Sequence, residues 1–258
     1  MNKNPKISII TVSFNSAKTI KNTIESVLNQ IYTNIEYIII DGGSTDSTIK
    51  IVKSFGDKIS FLISEKDNGI YDGMNKGIKA STGEYIGILN SDDFYPNNSV
   101  IQDVVNCLLE NKTESLYGDL IYVDSEKTDK IIRYWNSGKF DLNKIRKGWM
   151  LPHPTFFVKK EIYTKFGLYS EKLKSAADYE MILRLLYKHK ISVNYLPKII
   201  VNMRDGGYSN RSIWSRLKGN NEDVMAWEMN GLKISKLLRF RKPFSKLKQF
   251  IKRPKRNE

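Results

Sequence analysis

The sequence lacks several features that mark common classes of protein. Its single cysteine, Cys107, excludes an intramolecular disulfide and any metal site built from several cysteines. Cys107 lies in an apolar helical pattern, which favours a small core residue over a nucleophile. No apolar run approaches the roughly 20 residues of a membrane-spanning helix, and residues 1–6 lack the layout of a signal peptide. We therefore expect a globular protein of the cytoplasm.

Two familiar nucleotide-binding signatures are also missing. The chain has neither the G-x-G-x-x-G of dinucleotide-binding folds nor the G-x-x-x-x-G-K-[ST] of P-loop proteins. Dinucleotide-dependent dehydrogenases and P-loop enzymes are therefore disfavoured. With no internal repeat and no long low-complexity linker, 258 residues indicate one domain with an appendage.

Positive charge, in contrast, is present in excess. The formal net charge is +14, and residues 233–258 contribute eleven Lys or Arg and one Glu, a net +10 that leaves +4 for the rest. Apolar residues recur in this segment at near-helical spacing, which predicts a basic helical tail on an anionic membrane surface. A solvated basic tail is the alternative. Nucleic-acid binding is disfavoured because no recognition module accompanies the charge.

Strand and helix patterns alternate along the first part of the chain. Apolar strand runs lie at 7–13, 35–40, 59–64 and 85–89, and helical patterns lie between them at about 17–30, 47–55 and 70–80. Such alternation predicts an α/β fold, with a Rossmann-like, mostly parallel central sheet and helices on both of its faces.

The rhythm changes after Asp93. Helices are predicted at about 99–110 and 178–187, and strands at 116–123, 131–134 and 155–158. Polar loops rather than long helices separate these strands. We therefore expect a mixed portion with some antiparallel pairing.

The most informative feature is a pair of carboxylates, Asp92 and Asp93, at the end of the strand run 85–89. Adjacent like charges repel, so they need water, hydrogen-bond donors or a divalent cation to compensate them. Small or polar residues also end the first two strand runs, at 11–15 and 41–44. Because ligands bind at the carboxyl ends of strands in open α/β sheets, we expect a site at this edge.

Five segments in this order resemble bacterial family-2 glycosyltransferases of the GT-A fold. They are IITVSFN at 9–15, IDGGSTDST at 40–48, EKDNGIYDGMNKG at 65–77, LNSDD at 89–93, and ADYE at 177–180 followed by LRL at 183–185. The segment at 65–77 resembles the subgroup that builds exopolysaccharide, capsule or lipopolysaccharide. The resemblance covers about residues 5–210.

The resemblance implies an inverting transfer of a sugar from a nucleotide diphosphate donor, with a UDP-sugar favoured, to a hydroxyl of a saccharide acceptor. It implies an acceptor linked to polyprenyl diphosphate and a peripheral location on the inner face of the membrane. It also implies three parts. Residues 1–98 would bind the nucleotide sugar, residues 99–210 would bind the acceptor and carry the base, and residues 211–258 would form a basic helical extension.

The resemblance also assigns roles to individual residues. Asp93 resembles the ligand of a divalent cation, Mn²⁺ or Mg²⁺, since oxygen ligands suit these ions. Asp92 would lie near the ribose or assist the metal. Asp41 resembles the carboxylate that accepts from the nucleobase, with Thr11 beside it, and Asp178 resembles the general base.

Two positions depart from the family pattern. Gly42 stands where a second acid often follows Asp41, and Ala177 stands where an acid often precedes Asp178. Further candidate contacts to donor or acceptor are Asn15, Asn68, Tyr71, Asp72, Asn75, Lys76, His153 and Arg204.

Structural alternatives compete with these roles. Asp41 and Asp46 also suit turn and cap positions, and Asp178 suits the N-terminus of a helix. The acid pair at 92–93 also suits a solvated loop. At the level of the whole chain, the alternatives are a sugar-phosphate nucleotidyltransferase and a non-catalytic basic protein that binds membranes or nucleic acid.

Overall fold

A computed structural model of the chain describes residues 4–146, 148–206 and 213–233, with residues 213–220 as helical backbone. The strands are β1 (Ile7–Ser13), β2 (Ile35–Asp41), β3 (Phe61–Ser64), β4 (Tyr85–Ile88), β5 (Ser115–Val123), β6 (Ile131–Trp135), β7 (Phe157–Lys159) and β8 (Val193–Arg204). The helices are α1 (Ile20–Leu28), α2 (Thr48–Lys53), α3 (Ile70–Ala80), α4 (Val100–Asn111), α5 (Leu142–Arg146), α6 (Lys160–Phe166), α7 (Ala177–Ile182) and α8 (Ile213–Met229). A π-helical turn, Leu183–Lys188, continues α7.

These strands form one sheet in the order β3-β2-β1-β4-β7-β5-β6, with β8 beside β5. The pairs β1/β2, β2/β3 and β1/β4 are parallel, which confirms the predicted parallel portion. β7 runs antiparallel to β4 and β5, and β6 runs antiparallel to β5, so the mixed second part is confirmed as well. β8 is parallel to β5.

β8 is the main element that the sequence patterns did not reveal. Pro197 interrupts its apolar run, and its pairing with β5 shifts register on both sides of Asp119. A proline that cannot donate to the ladder argues against a strand when only the sequence is read. Tertiary pairing over the remaining residues outweighs that local signal.

The core lies on both faces of the sheet, because successive residues of a strand point to opposite sides. On one face Ile10 and Ile38 pack with residues of α3, α6 and α7. On the other face Ile9 and Ile39 pack with residues of α1, α2 and α4. Helices on both faces are thus confirmed, and no helix among the described residues is long and apolar enough to cross a membrane.

Helix α3 lies unusually close to β1 because glycines face the strand. A β-carbon on Gly73 would stand 2.7 Å from Val12 Cγ1, and one on Gly77 would stand 3.3 Å from Ile10 Cδ1. Only residues without side chains allow this approach. Part of the segment 65–77 therefore serves packing. The basic tail expected beyond residue 233 lies outside the described residues.

Candidate active site

The turn after β2 is organised by Asp41, which is fully buried. Its Oδ1 accepts hydrogen bonds from the hydroxyls of Ser13 (3.0 Å) and Ser44 (2.5 Å). Its Oδ2 accepts from the Ser64 hydroxyl (2.9 Å) and from the backbone N–H groups of Gly43 (3.1 Å) and Ser44 (2.8 Å). Both oxygens are thus occupied by the chain itself. These bonds support the turn role of Asp41, and its contact with a nucleobase stays a prediction.

Thr11 lies on β1, next to β2, as expected. It is fully buried, and its hydroxyl shares a hydrogen bond of 3.1 Å with the Tyr37 hydroxyl. Because burial raises the pKa of Tyr37 well above its ordinary value, this phenol stays protonated. Thr11 therefore satisfies a buried polar group, and its contact with a nucleotide stays a prediction.

Asn15 and Asp46 hold the loops after β1 and β2 together. Asn15 adopts a left-handed conformation (φ 48°), and its Oδ1 accepts from the Thr45 N–H at 2.9 Å. Asp46 accepts from the N–H and hydroxyl of Thr48 (2.9 and 2.5 Å) and from the Ala17 N–H (3.1 Å). The Thr48 hydroxyl is the largest cause of a lowered pKa at Asp46. These bonds support the turn-and-cap alternative for Asp46.

The acid pair follows β4, as expected, and its two members differ in exposure. Asp93 is fully buried, and its Oδ2 accepts from the Asn90 amide at 3.3 Å. Its Oδ1 has no hydrogen-bond partner among the described residues. Burial, and then the charge of Asp92, raise the pKa of Asp93 well above its usual range. Asp92 is partly exposed, and burial raises its pKa too.

Arg204, the last residue of β8, lies behind the acid pair. It is 8% exposed and donates to the Asp92 carbonyl oxygen (2.5 Å) and to Asn22 Oδ1 (2.8 Å). Its guanidinium lies 4.8 Å from the centre of the Phe94 ring. These contacts are internal to the chain, and a contact of Arg204 with the sugar donor stays a prediction. Arg204 fixes the backbone of the pair and partly offsets its charge.

The acid pair offers oxygen ligands for a divalent cation. The Oδ1 atoms of Asp93 and Asn90 are both buried without a hydrogen-bond partner in the part of the chain that is described. Buried oxygens are otherwise almost always paired, so the two unpaired atoms fit a cation. No group of three or more His, Cys, Asp or Glu side chains placed to hold a metal ion is present among the described residues. The oxygens of Asp92 and Asp93 suit an ion such as Mg²⁺ or Mn²⁺, which is bound in proteins by one or two carboxylates together with phosphates of a ligand.

Asp178 lies in the first turn of α7 and is partly exposed. Its Oδ1 accepts a hydrogen bond of 3.2 Å from the Tyr71 hydroxyl. Tyr71 lies in the first turn of α3, which follows the carboxyl end of β3. Asp178 therefore lies at the same edge of the sheet as the ends of β1, β2 and β4.

His153 lies in an aromatic cluster beneath Asp178. It is 7% exposed, and its Nε2 shares a hydrogen bond of 2.6 Å with the Tyr169 hydroxyl. Burial lowers the pKa of His153, so the imidazole is neutral near pH 7. His153 thus supports Tyr169, and its contact with donor or acceptor stays a prediction.

The segment 65–77 contributes mostly internal contacts. Lys76 forms ion pairs with Glu65 (2.7 Å) and Asp72 (3.4 Å), and Asp72 also accepts from the Asn68 N–H (3.0 Å). Asn75 is 3% exposed and bonds to both the N–H and the carbonyl of Tyr169. Asn75 is thus a link between α3 and the loop before α7. The exposed Asn68 side chain remains a candidate contact.

Two contributors near the site escaped the sequence patterns. Asp67 lies against Gly42, where its Cγ is 2.8 Å from the place that a β-carbon on residue 42 would take. In the sequence, the absence of an acid at position 42 was the only indication that another carboxylate lies there. From the far end of the chain, Glu222 accepts from the Ser175 N–H (2.8 Å) and hydroxyl (3.0 Å), and Trp227 donates to the Tyr179 hydroxyl (2.9 Å). Nothing in the sequence signalled that α8 holds the segment that carries Asp178.

The comparison with family models decides the family. The model described as glycosyl transferase family 2 matches residues 8–166. The chain belongs to this family. It is 30% identical over 217 residues to an uncharacterized glycosyltransferase of Rickettsia typhi, which covers 81% of this chain and 67% of that protein. It is 25% identical over 211 residues to a PGL/p-HBAD biosynthesis glycosyltransferase of Mycobacterium bovis, which covers 80% of each.

Solved structures show the same fold for this glycosyltransferase. S. aureus TarS 1–349 in complex with UDP-GlcNAc matches with a TM-score of 0.69 at 19% identity, over 87% of this chain and 65% of that chain. A mannosyltransferase of Pyrobaculum calidifontis in complex with GDP-Man and Mn²⁺ matches with a TM-score of 0.66 at 15% identity, over 92% of this chain and 67% of that one. The predicted GT-A fold is confirmed. The chain spans less than two thirds of some relatives, 57% in the case of a Rickettsia prowazekii glycosyltransferase.

Proposed function

We propose that this family-2 glycosyltransferase is an inverting enzyme that moves a sugar from a nucleotide diphosphate donor to a hydroxyl of a saccharide acceptor. One observation carries the proposal. Asp178, a partly exposed carboxylate, lies at the same sheet edge as the Asp92–Asp93 pair, on a segment of its own. A base and a diphosphate site on separate segments suit a displacement in which acceptor and leaving group occupy opposite sides of the sugar.

In this mechanism Asp178 acts as general base. Its carboxylate takes the proton of the acceptor hydroxyl while that oxygen forms a bond to the anomeric carbon. The bond from the anomeric carbon to the diphosphate oxygen breaks on the opposite face, and the electron pair leaves with the diphosphate. One such displacement inverts the anomeric configuration.

Asp93 and Asp92 would hold the divalent cation. When bound, Mn²⁺ or Mg²⁺ supplies positive charge that stabilises the leaving diphosphate. The raised pKa of both carboxylates and the unpaired Oδ1 of Asp93 support this assignment, because a cation offsets the charge that burial disfavours. The Mn²⁺ that accompanies GDP-Man in the Pyrobaculum calidifontis mannosyltransferase agrees with it.

For the donor we infer a UDP-hexose, with Asp92 and Asn68 as candidate contacts. TarS structures in complex with UDP-GlcNAc and with UDP support this choice. For the acceptor we infer a saccharide on a polyprenyl diphosphate lipid in surface polysaccharide synthesis. The net charge of +10 in residues 233–258 supports a peripheral location on an anionic membrane. In this proposal residues 1–98 bind the sugar donor and residues 99–210 bind the acceptor.

The test compares Asp178→Asn and Asp93→Ala with Asp129→Asn, a change at an exposed carboxylate outside the site. Donors in the panel are UDP-glucose, UDP-galactose, UDP-N-acetylglucosamine and GDP-mannose, and release of the nucleoside diphosphate is followed with Mn²⁺ or EDTA. Asp178→Asn should bind UDP normally and lose about 10²–10⁴-fold in turnover. Asp93→Ala should lose the Mn²⁺-dependent part of UDP binding in calorimetry. Turnover close to wild type in Asp178→Asn would remove this residue from the role of base.

A further inference from the structure

We propose that Tyr71 is a positioning residue for the general base, holding Oδ1 of Asp178 so that Oδ2 faces the acceptor hydroxyl. The inference rests on the proposed function and names a partner within the same site. This role of Tyr71 differs from the contact with sugar donor or acceptor that the sequence suggested.

The hydrogen bond that carries the inference joins two distant parts of the chain. The Tyr71 hydroxyl donates to Asp178 Oδ1 at 3.2 Å, across 107 residues of sequence. Among the described residues no other side chain donates a hydrogen bond to this carboxylate. A carboxylate with one oxygen fixed keeps the other in a defined direction, which a base needs in order to meet a hydroxyl.

The Tyr71 ring is itself held in place. It is 8% exposed and stacks on Tyr169, with ring centres 5.7 Å apart and planes 18° apart. Tyr169 is fixed in turn by its hydroxyl bond to His153 and by the backbone bonds that Asn75 makes to it. The Tyr71 hydroxyl that donates to Asp178 therefore belongs to a rigid aromatic cluster rather than to a mobile side chain.

The protonation state of Tyr71 suits this task. Burial, followed by the adjacent negative charge of Asp178, raises the pKa of the phenol well above its ordinary value. The hydroxyl therefore keeps its proton near neutral pH and is available as a donor.

The residue directly before Asp178 offers no hydrogen bond to its carboxylate. Residue 177 is alanine. The Ala177 side chain is fully buried in the core and offers no polar atom. Support for Asp178 must then come from another element, and α3 supplies it.

The first test is Tyr71→Phe, which removes one hydroxyl and keeps the ring that stacks on Tyr169. The matched control is Tyr32→Phe, which removes the hydroxyl of another buried tyrosine, one that donates to the Pro5 carbonyl far from the site. Assays use the donor with the fastest Mn²⁺-dependent release of nucleoside diphosphate. We expect kcat of Tyr71→Phe to fall about 10- to 100-fold with the donor KM and the Kd for UDP within twofold of wild type. The control should keep the wild-type kcat.

Two results would overturn the inference. One is a kcat of Tyr71→Phe within twofold of wild type, and the other is a joint loss of kcat and UDP binding, which would indicate a structural role only. Asp178→Asn, measured alongside, distinguishes a failure of this inference from a failure of the proposed function. If it is inactive while Tyr71→Phe is normal, this inference alone fails, and if it is active, the proposed role of Asp178 fails.

A second test needs no turnover. Crystal structures of wild type and Tyr71→Phe should show one Asp178 rotamer in the former and two or more in the latter, because the variant lacks the donor that fixes Oδ1. The same single rotamer in both proteins would contradict the inference.

Discussion

The carboxylates of the first half of the chain and those of the second half are held in different ways. Asp41 and Asp46 are bound mostly by backbone N–H groups and hydroxyls within their own turn, two or three residues away. Asp178 is held by Tyr71 from 107 residues away, and Ser175 is held by Glu222 from 47 residues away. The first half thus builds rigid turns locally, whereas the second half depends on contacts between elements. The proposed donor site and the proposed base therefore differ in how they respond to mutation.

The largest effect is expected at the local network of Asp41. Asp41→Ala removes the acceptor of five hydrogen bonds and leaves buried donors without partners. We expect a loss of about 3–5 kcal/mol in the free energy of unfolding, measured by urea denaturation. Asp57→Ala, at an exposed position in the same half, should change it by less than about 0.5 kcal/mol. An equal effect of the two variants would show that the turn does not depend on Asp41.

A smaller effect on stability, with a clear effect on rate, is expected at α8. Glu222→Ala removes the bonds to the backbone of Lys174 and Ser175, just before the helix that carries Asp178. We expect a loss of about 1–2 kcal/mol in stability and a lower kcat at unchanged donor KM. Glu228→Ala, an exposed glutamate on the same helix, is the matched control. A changed donor KM or an unchanged kcat in Glu222→Ala would contradict the prediction that α8 positions the segment that carries Asp178.

The smallest effect is expected in the pH dependence of stability. Burial lowers the pKa of His153 below 6.5, although the charge of Asp178 opposes this, so the unfolded chain takes up a proton at higher pH than the folded one. The stability from the neutral, buried imidazole is therefore present above pH 6.5 and is lost as the pH falls through this value. His153→Gln should flatten the decline in free energy of unfolding at acidic pH, measured by urea denaturation at a series of pH values. His189→Gln, at the exposed histidine of the chain, should leave most of that decline in place.

The same difference between the halves explains what the sequence could predict. β1 and α3 were predicted with their observed bounds, because each is defined by its own apolar pattern and flanking turns. The π-helical continuation of α7, the strand β8 and the position of Arg204 depend on partners far along the chain. For the candidate site, the strand pattern placed the acid pair at the end of β4, whereas the role of Asp178 came from the family resemblance and stays a prediction. The patterns did not reveal that Thr11, Asp41 and His153 are buried, because burial depends on which neighbour covers a side chain.

The close packing of α3 against β1 limits how the acceptor specificity of this enzyme could change. Gly73 and Gly77 bring the helix backbone directly against Val12 and Ile10, so α3 has little freedom to slide or roll on β1. The positions of Tyr71 and its partner Asp178 are then fixed relative to the central sheet. Any shift of α3 would move the Tyr71 hydroxyl away from Asp178 on α7, so changes that adapt the protein to a new acceptor would have to leave α3 in place.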